Sequence, residues 1–252
     1  MKLFLKIRYC GTAYAGYQVQ YNAKTVQGEL NKALWDLFGF ECDVTGCSRT
    51  DAGVHALCFC ATVTERGKSG IDTRIPSDKI PYAINFRLPS DISVLSATMV
   101  DESFHARYSV INKTYVYRIL NTTQRDPFEE NRAFHYSRPI TDEALSRMNA
   151  AAMLICGTHD FSSFMASGSS VKSTVRTVTD CCVKRNGNIV TVSISADGFL
   201  YNMVRIICGT LLEVANSNIS PDQIPQIINS RDRTLAGPTL PAHGLYLSEV
   251  TY

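Results

Sequence analysis

Along the first nine residues apolar and polar side chains alternate, with Leu3, Leu5 and Ile7 on one face, the period-two pattern of a half-buried strand. The period then changes. Thr25 stands in the N-cap position and Leu30, Ala33, Leu34 and Leu37 recur at helical spacing, which predicts a helix ending at Phe38. Strand character returns over 41–47 and 57–63, a polar connection covers 68–76, and a short helix limited by Pro81 is expected near 77–85. Residues 92–100 supply a further strand. The order is β-α-β-β-α-β, the ferredoxin-like arrangement.

A second pattern of the same kind follows. Residues 113–121 read as a strand, and Thr141 can cap a helix carrying Leu145, Met148, Ala152 and Ile155. Strands over 174–185 and 188–196 meet at Asn186-Gly187, a strong hairpin signal. An apolar helix is expected over 199–214, another starts at Ser220-Pro221, and 244–252 closes the chain as a strand, with an additional strand near 132–137. The expectation is an α+β protein built as two ferredoxin-like halves, 1–105 and 106–252, whose boundary falls within 101–110. Two such halves set side by side would form a central mixed sheet flanked by helices and leave a cleft, a common place for ligands.

Composition narrows the picture modestly. The chain has 252 residues, 45% of them hydrophobic and 19% charged, which is a globular balance. A formal net charge of +2 permits a nucleic-acid partner without demanding one. The nine cysteines form no Cys-x-x-Cys pair, and Cys58, Cys60, Cys181, Cys182 and Cys208 lie in apolar or β-branched runs, so buried reduced thiols are expected and zinc is not. The N-terminus has no signal-peptide layout and no stretch is apolar enough to span a membrane, which points to the cytoplasm.

The chemistry concentrates at 46–56, Gly-Cys-Ser-Arg-Thr-Asp-Ala-Gly-Val-His-Ala, a loop at the mouth of a strand. Asp51 is its only carboxylate, and Arg49 stands two residues before it. An aspartate in such a setting ordinarily accepts backbone N–H groups in a turn. Arg205 is a lone charge in an apolar helix, so it either reaches the surface along its stem or is buried against an anion, for which Asp51 of the other half would serve. Tyr115 and Tyr117 share one strand face. Strand aromatics usually pack, although an exposed one can stack on an unpaired base. The five histidines, including His55, show no metal-binding spacing and read as polar packing or occasional RNA contacts.

The stretch 46–56 closely resembles the catalytic motif of the tRNA pseudouridine synthase A family. Lys113-Thr114-Tyr115-Val116-Tyr117, Phe104-His105-Ala106-Arg107, residues 157–164 and Gly244-Leu245-Tyr246-Leu247 resemble further blocks of that family. The resemblance implies the pseudouridine synthase fold and conversion of uridine to pseudouridine at positions 38, 39 and 40 of the tRNA anticodon arm. It implies Asp51 as nucleophile, Arg205 as its basic partner, Tyr115 as the tyrosine that stacks on the uracil, and Arg49 as the residue that helps displace the base. Leu245 would pack on that base, and Tyr117 would be structural. Basic residues such as Arg107, Lys172 and Arg176 could meet phosphates. No cofactor or metal is implied, because substrate and product are isomers; a homodimer is. Two departures stand near the N-terminus, where the family commonly reads Tyr-Asp-Gly and Gly-Trp-Gln and this chain has Tyr9-Cys10-Gly11 and Gly16-Tyr17-Gln18. Rival readings are a non-catalytic RNA-binding protein, for which the aromatic RNP signature is missing, a carboxylate hydrolase, for which the loop lacks a second acid, and a synthase acting on another RNA.

Overall fold

The computed structural model describes residues 1–168 and 171–252. Its elements divide between two compact units, Met1–Ile111 with Tyr246–Tyr252, and Asn112–Leu245.

In the first unit β1 (Lys2–Tyr9) carries Leu3, Leu5 and Ile7 inward, all fully buried, each burial contributing about 1.5–3 kcal/mol. Helix α1 (Val26–Phe38) begins where Thr25 Oγ1 accepts the Gly28 N–H at 3.2 Å, and ends at Gly39, whose φ of 75° only glycine adopts easily. Leu37 is half-buried instead of buried, and Val26 joins Leu30, Ala33 and Leu34 on the inner stripe. β2 (Cys42–Gly46), β3 (His55–Glu65), α2 (Ile80–Asn85) and β4 (Ile92–Val100) complete the β-α-β-β-α-β order. β1 pairs antiparallel with both β3 and β4. The same edge of β3 takes two partners: Ala61 to Glu65 pair with β2, while His55 and Ala56 pair parallel with Tyr246 and Leu247 of β10 (Leu245–Thr251). That second partner explains why β3 starts at His55, before the first residue of its apolar run.

The second unit holds β5 (Asn112–Leu120), β6 (Phe134–His135), α3 (Asp142–Met153), β7 (Gly157–Asp160), β8 (Val175–Asn186), β9 (Ile189–Ala196), α4 (Met203–Ala215) and α5 (Ile224–Ser230). β9 pairs antiparallel with β5 and β8, β7 extends β8, and β6 lies parallel to β5. The β8–β9 hairpin turns through Gly187 and Asn188, with Gly187 at φ 57° in the first central position. Thr141 Oγ1 caps α3 through the Ala144 N–H at 3.1 Å. Within α3 the expected Leu145 is half-buried, whereas Ala144, Met148, Ala151 and Ala152 line the inner face. α4 starts at Met203, not at 199, because Asn202 sits in the left-handed region at φ 61° and breaks the preceding turn from the helix.

Mixed sheets with flanking helices make this an α+β protein. All nine cysteines are free thiols. Cys60, Cys181 and Cys208 are buried as expected, whereas Cys58 and Cys182 are only partly buried. None of the described helices is long and apolar enough to cross a membrane.

Candidate active site

The Asp51 loop leaves β2 through Cys47, whose N–H still reaches the Cys60 carbonyl at 2.8 Å, and re-enters the sheet at β3. A turn brings it round: the Val54 N–H donates to the Asp51 carbonyl at 3.1 Å, and Gly53 supplies φ 79°. The loop is fastened by residues 10–20, the Gly- and Tyr-rich segment in which no periodicity is visible. The Tyr17 N–H donates to the Thr50 carbonyl at 3.1 Å, the Gly53 N–H to the Tyr14 carbonyl at 3.4 Å, and the Tyr9 hydroxyl meets Thr50 Oγ1 at 2.7 Å.

Two glycines permit this approach. A Cβ on Gly11 would lie 2.0 Å from the Val54 carbonyl oxygen, and one on Gly16, at φ 103°, would lie 2.6 Å from that of Thr50. The Gly11 N–H donates to His55 Nδ1 at 3.0 Å, which places the proton of a neutral imidazole on Nε2. His55 is only 2% exposed and its ring stacks on Tyr246 at 4.6 Å, so it acts as a buried post under the loop. Tyr14 donates to Asp91 Oδ1 at 2.5 Å; its own burial, reinforced by that carboxylate, pushes its phenol well above the usual range and keeps it protonated. The unusual Cys10 disturbs none of this, since its N–H bonds the Asp91 carbonyl at 2.9 Å and its thiol rests 3.4 Å from Thr12 Oγ1.

Asp51 is half-buried on this platform, while Arg49 is exposed. Arg49 and Arg107 border one recess of about 220 Å³, formed by the N-terminal loop, α1, β2 and the start of the Asp51 loop. Sequence offered no sign that these two arginines are neighbours.

Tyr115, Arg205 and Leu245 belong to the second unit. Tyr115 lies on β5 opposite Ile194, is 6% exposed, and meets the edge of Phe199 with ring centres 5.0 Å apart. Phe199 is a partner that the sequence reading missed; its only signal was an aromatic directly before an apolar helix. Tyr117 is fully buried, donates to the Pro241 carbonyl at 2.7 Å, and packs so closely on Gly244 that a Cβ there would come within 2.7 Å of its ring. It thereby fixes the short turn Ala242–Gly244 that precedes the buried Leu245.

Arg205 is half-buried, and its guanidinium is not a loose surface group. Nε donates to the Leu240 carbonyl and Nη1 to Asn202 Oδ1, both at 2.6 Å, and the Leu240 N–H returns to the Arg205 carbonyl at 3.3 Å. Its positive charge, added to the dominant effect of burial, holds the His243 imidazole below its ordinary value, with Glu130 opposing. The 237–240 segment can hold Arg205 because it lies directly on α4: a Cβ on Gly209 would fall 1.9 Å from the Pro238 carbonyl oxygen, and the Gly237 N–H donates to Thr210 Oγ1 at 2.8 Å. Gly209→Ala is therefore expected to cost about 1–3 kcal/mol of stability through overpacking, lowering Tm by roughly 2–4 °C per kcal/mol in a thermal melt. An unchanged Tm would contradict that packing.

Comparison with known proteins gives a consistent result. The sequence pattern of a family described as tRNA pseudouridine synthase matches residues 6–109 and 151–252. Among curated proteins, the chain is similar to tRNA pseudouridine synthase A of Thermoanaerobacter sp. (strain X514), with 46% identity over 250 residues, 99% of each chain. It is 48% identical over 249 residues to the protein of that name from Acetivibrio thermocellus, covering 98% of each chain. It is 45% identical over 248 residues to that of Halalkalibacterium halodurans, covering 97% of this chain and 90% of the relative.

Proposed function

This chain belongs to the tRNA pseudouridine synthase family, and from that premise we propose that it isomerises uridine to pseudouridine at positions 38, 39 and 40 of the tRNA anticodon stem-loop, with Asp51 as the nucleophile. The observation that carries the reading is the Asp51 loop itself, clamped from the backbone by residues 9–17 and standing on a buried histidine. A rigid platform under one half-buried carboxylate is what a reaction dependent on exact placement requires.

The reaction breaks the bond from uracil N1 to C1′ of the ribose and forms one from C5 to the same carbon. C5 loses its proton and N1 gains one, so atoms balance without an added reagent. The target base must leave its stack first, at a cost of a few kcal/mol. Arg49, exposed and two residues from Asp51, has the reach and charge to take the space of the departing base and hold the backbone. Whether the carboxylate attacks the ribose, attacks the ring, or removes a ribose proton, each route uses Asp51 in its ionised form. Arg205 is the basic partner that would favour that form. The bonds from Leu240 and Asn202 fix its direction beforehand, which supports a role in orientation.

Tyr115 is the residue to stack on uracil, and its hydroxyl, directly or through water, would help remove the C5 proton. Leu245 would pack on the same base. The proposal includes the duplicated ferredoxin-like form of the pseudouridine synthase fold, a homodimer in which one tRNA touches both subunits, and a cytoplasmic setting.

The test is pseudouridine formation in unmodified tRNAs carrying a single uridine at 38, 39 or 40. Product at each position is expected, and none at uridines elsewhere. Binding without product at any position would instead fit a non-catalytic RNA-binding protein. Tyr115→Phe separates ring from hydroxyl: kcat is expected to fall about 10²-fold or more with tRNA affinity unchanged, since a positioned acid or base contributes about 10²–10⁴. Wild-type turnover in Tyr115→Phe would remove the hydroxyl from the mechanism.

A further inference from the structure

Helix α4 begins in a way that α1 and α3 do not. Those two are capped by Thr25 and Thr141, whose hydroxyls accept an N–H of the first turn, the ordinary use of an N-cap side chain. Asn202 stands at the same position of α4 and is of a type that caps well, yet its side chain makes no capping bond to the helix. Its backbone is left-handed, at φ 61° and ψ 8°, a region that a residue with a Cβ enters at a cost. The third residue of the helix is Arg205, a cation beside the positive end of the helix dipole, and no acidic residue stands in the first turn to offset it. Three departures that each weaken a helix start thus fall on one turn. Such a coincidence is expected where local stability is given up for a site.

What the departures obtain is a held guanidinium. Side chains of a helix lean toward its N-terminus, so Arg205 reaches back over the turn before it. There Asn202 Oδ1, three residues upstream, accepts from Nη1 at 2.6 Å, while the Leu240 carbonyl accepts from Nε at the same distance. The left-handed backbone still serves the helix, since the Asn202 carbonyl accepts the Ile206 N–H at 3.0 Å. Leu240 is itself set by its N–H to the Arg205 carbonyl and by the close seating of Pro238 on Gly209. A guanidinium gripped at two nitrogens, once from the start of α4 and once from the 237–240 segment, cannot turn about its last side-chain bonds without breaking one of the two.

Resting on the reading of Arg205 as the basic partner of Asp51, we propose that Asn202 is a positioning residue for the isomerisation: its amide oxygen is withdrawn from capping α4 and holds the Arg205 guanidinium in the orientation that the reaction uses. Asparagine suits both tasks. It enters the left-handed region more readily than most residues with a side chain, and it carries an acceptor of the required reach. Glycine would share the first property without the second, and alanine would have neither.

That difference is the basis of the test. Asn202→Gly and Asn202→Ala are compared with the wild type by single-turnover pseudouridine formation, tRNA affinity, thermal melts and the nitrogen-resolved NMR signals of the Arg205 side chain, assigned with Arg205→Lys. Asn202→Gly is expected to melt within a few degrees of the wild type and to bind tRNA within about threefold, while its rate at saturating tRNA falls about 10–10²-fold, the scale of a displaced catalytic group. Asn202→Ala should melt lower, because alanine is strained at positive φ, and should lose the rate by about the same factor. In the wild type the Arg205 Nη protons should give separate signals; in both variants these should average by rotation while the Nε–H, still held by Leu240, persists. Were Asn202 needed only for its backbone, glycine would preserve the rate and the loss would be confined to alanine. A wild-type rate in Asn202→Gly, or Arg205 signals unchanged in it, overturns the proposal, and pseudouridine formation by the wild type in that same experiment leaves the catalytic reading standing. A wild type that makes no pseudouridine removes the catalytic reading and this role with it.

Discussion

Asp51→Asn is expected to lower pseudouridine formation about 10⁴-fold or more while leaving tRNA affinity within about threefold and Tm unchanged, a loss on the scale seen when a nucleophile is removed. Asparagine keeps the size of the side chain and one carbonyl oxygen, so it tests the charge and nucleophilicity of the carboxylate and little else. The hydrogen bonds that shape the loop include those from the backbones of Thr50, Asp51 and Gly53 and from the Thr50 hydroxyl, and the substitution removes none of these groups. Single-turnover assays with tRNA in hand, beside an equilibrium binding curve and a melt, separate the three quantities. Substantial product from a folded Asp51→Asn would remove Asp51 from the chemistry.

Gly11→Ala is expected to cost about 1–3 kcal/mol of stability and to reduce kcat about 10²-fold although the residue would touch no substrate. Its Cβ cannot coexist with the Val54 carbonyl 2.0 Å away, so either the 10–20 segment lifts or the turn from Asp51 to Val54 gives way. In both cases the Gly11 N–H moves off His55 Nδ1 and the platform under Asp51 shifts. Misplacement by about 1 Å is enough for a loss of that size. Leu5→Ala provides the control, since it weakens the core of β1 away from the loop. A matched fall in Tm there with kcat preserved is the expected contrast, and an equal loss of kcat in both variants would argue that general instability is responsible.

Much of the scaffold was legible because its signals are local. Leu3, Leu5 and Ile7 announce β1 by alternation, Thr25 and Thr141 announce helices by capping, and Gly187 turns a hairpin that the flanking β-branched runs define. The 46–56 loop stood out through its resemblance to a family's catalytic motif, since by composition alone its aspartate reads as an ordinary turn residue. The parts that stayed hidden depend on contacts distant in sequence. Gly11 and Gly16 look like ordinary loop glycines until the register sets them against Val54 and Thr50. Arg107 joins Arg49 only through the fold. The start of α4 differs from the expected one because 199–201 continue the apolar run of the helix, and only the left-handed Asn202 separates them from it. Tyr115 reads as a packing residue from its place in a strand, and it does pack, although its partner Phe199 could not be named from the sequence.

The most direct measurement of the central claim is release of tritium to water from tRNA labelled at C5 of its uridines, under single-turnover conditions, for the wild type and Asp51→Asn. Isomerisation replaces the C5–H bond with the bond to the ribose, so tritium released mole for mole with pseudouridine, counted in the same samples, reports the isomerisation itself. The account requires release from the wild type in step with the number of uridines at positions 38 to 40, and none above background from Asp51→Asn. Absence of release from a folded, tRNA-bound wild type, or undiminished release from Asp51→Asn, would contradict it.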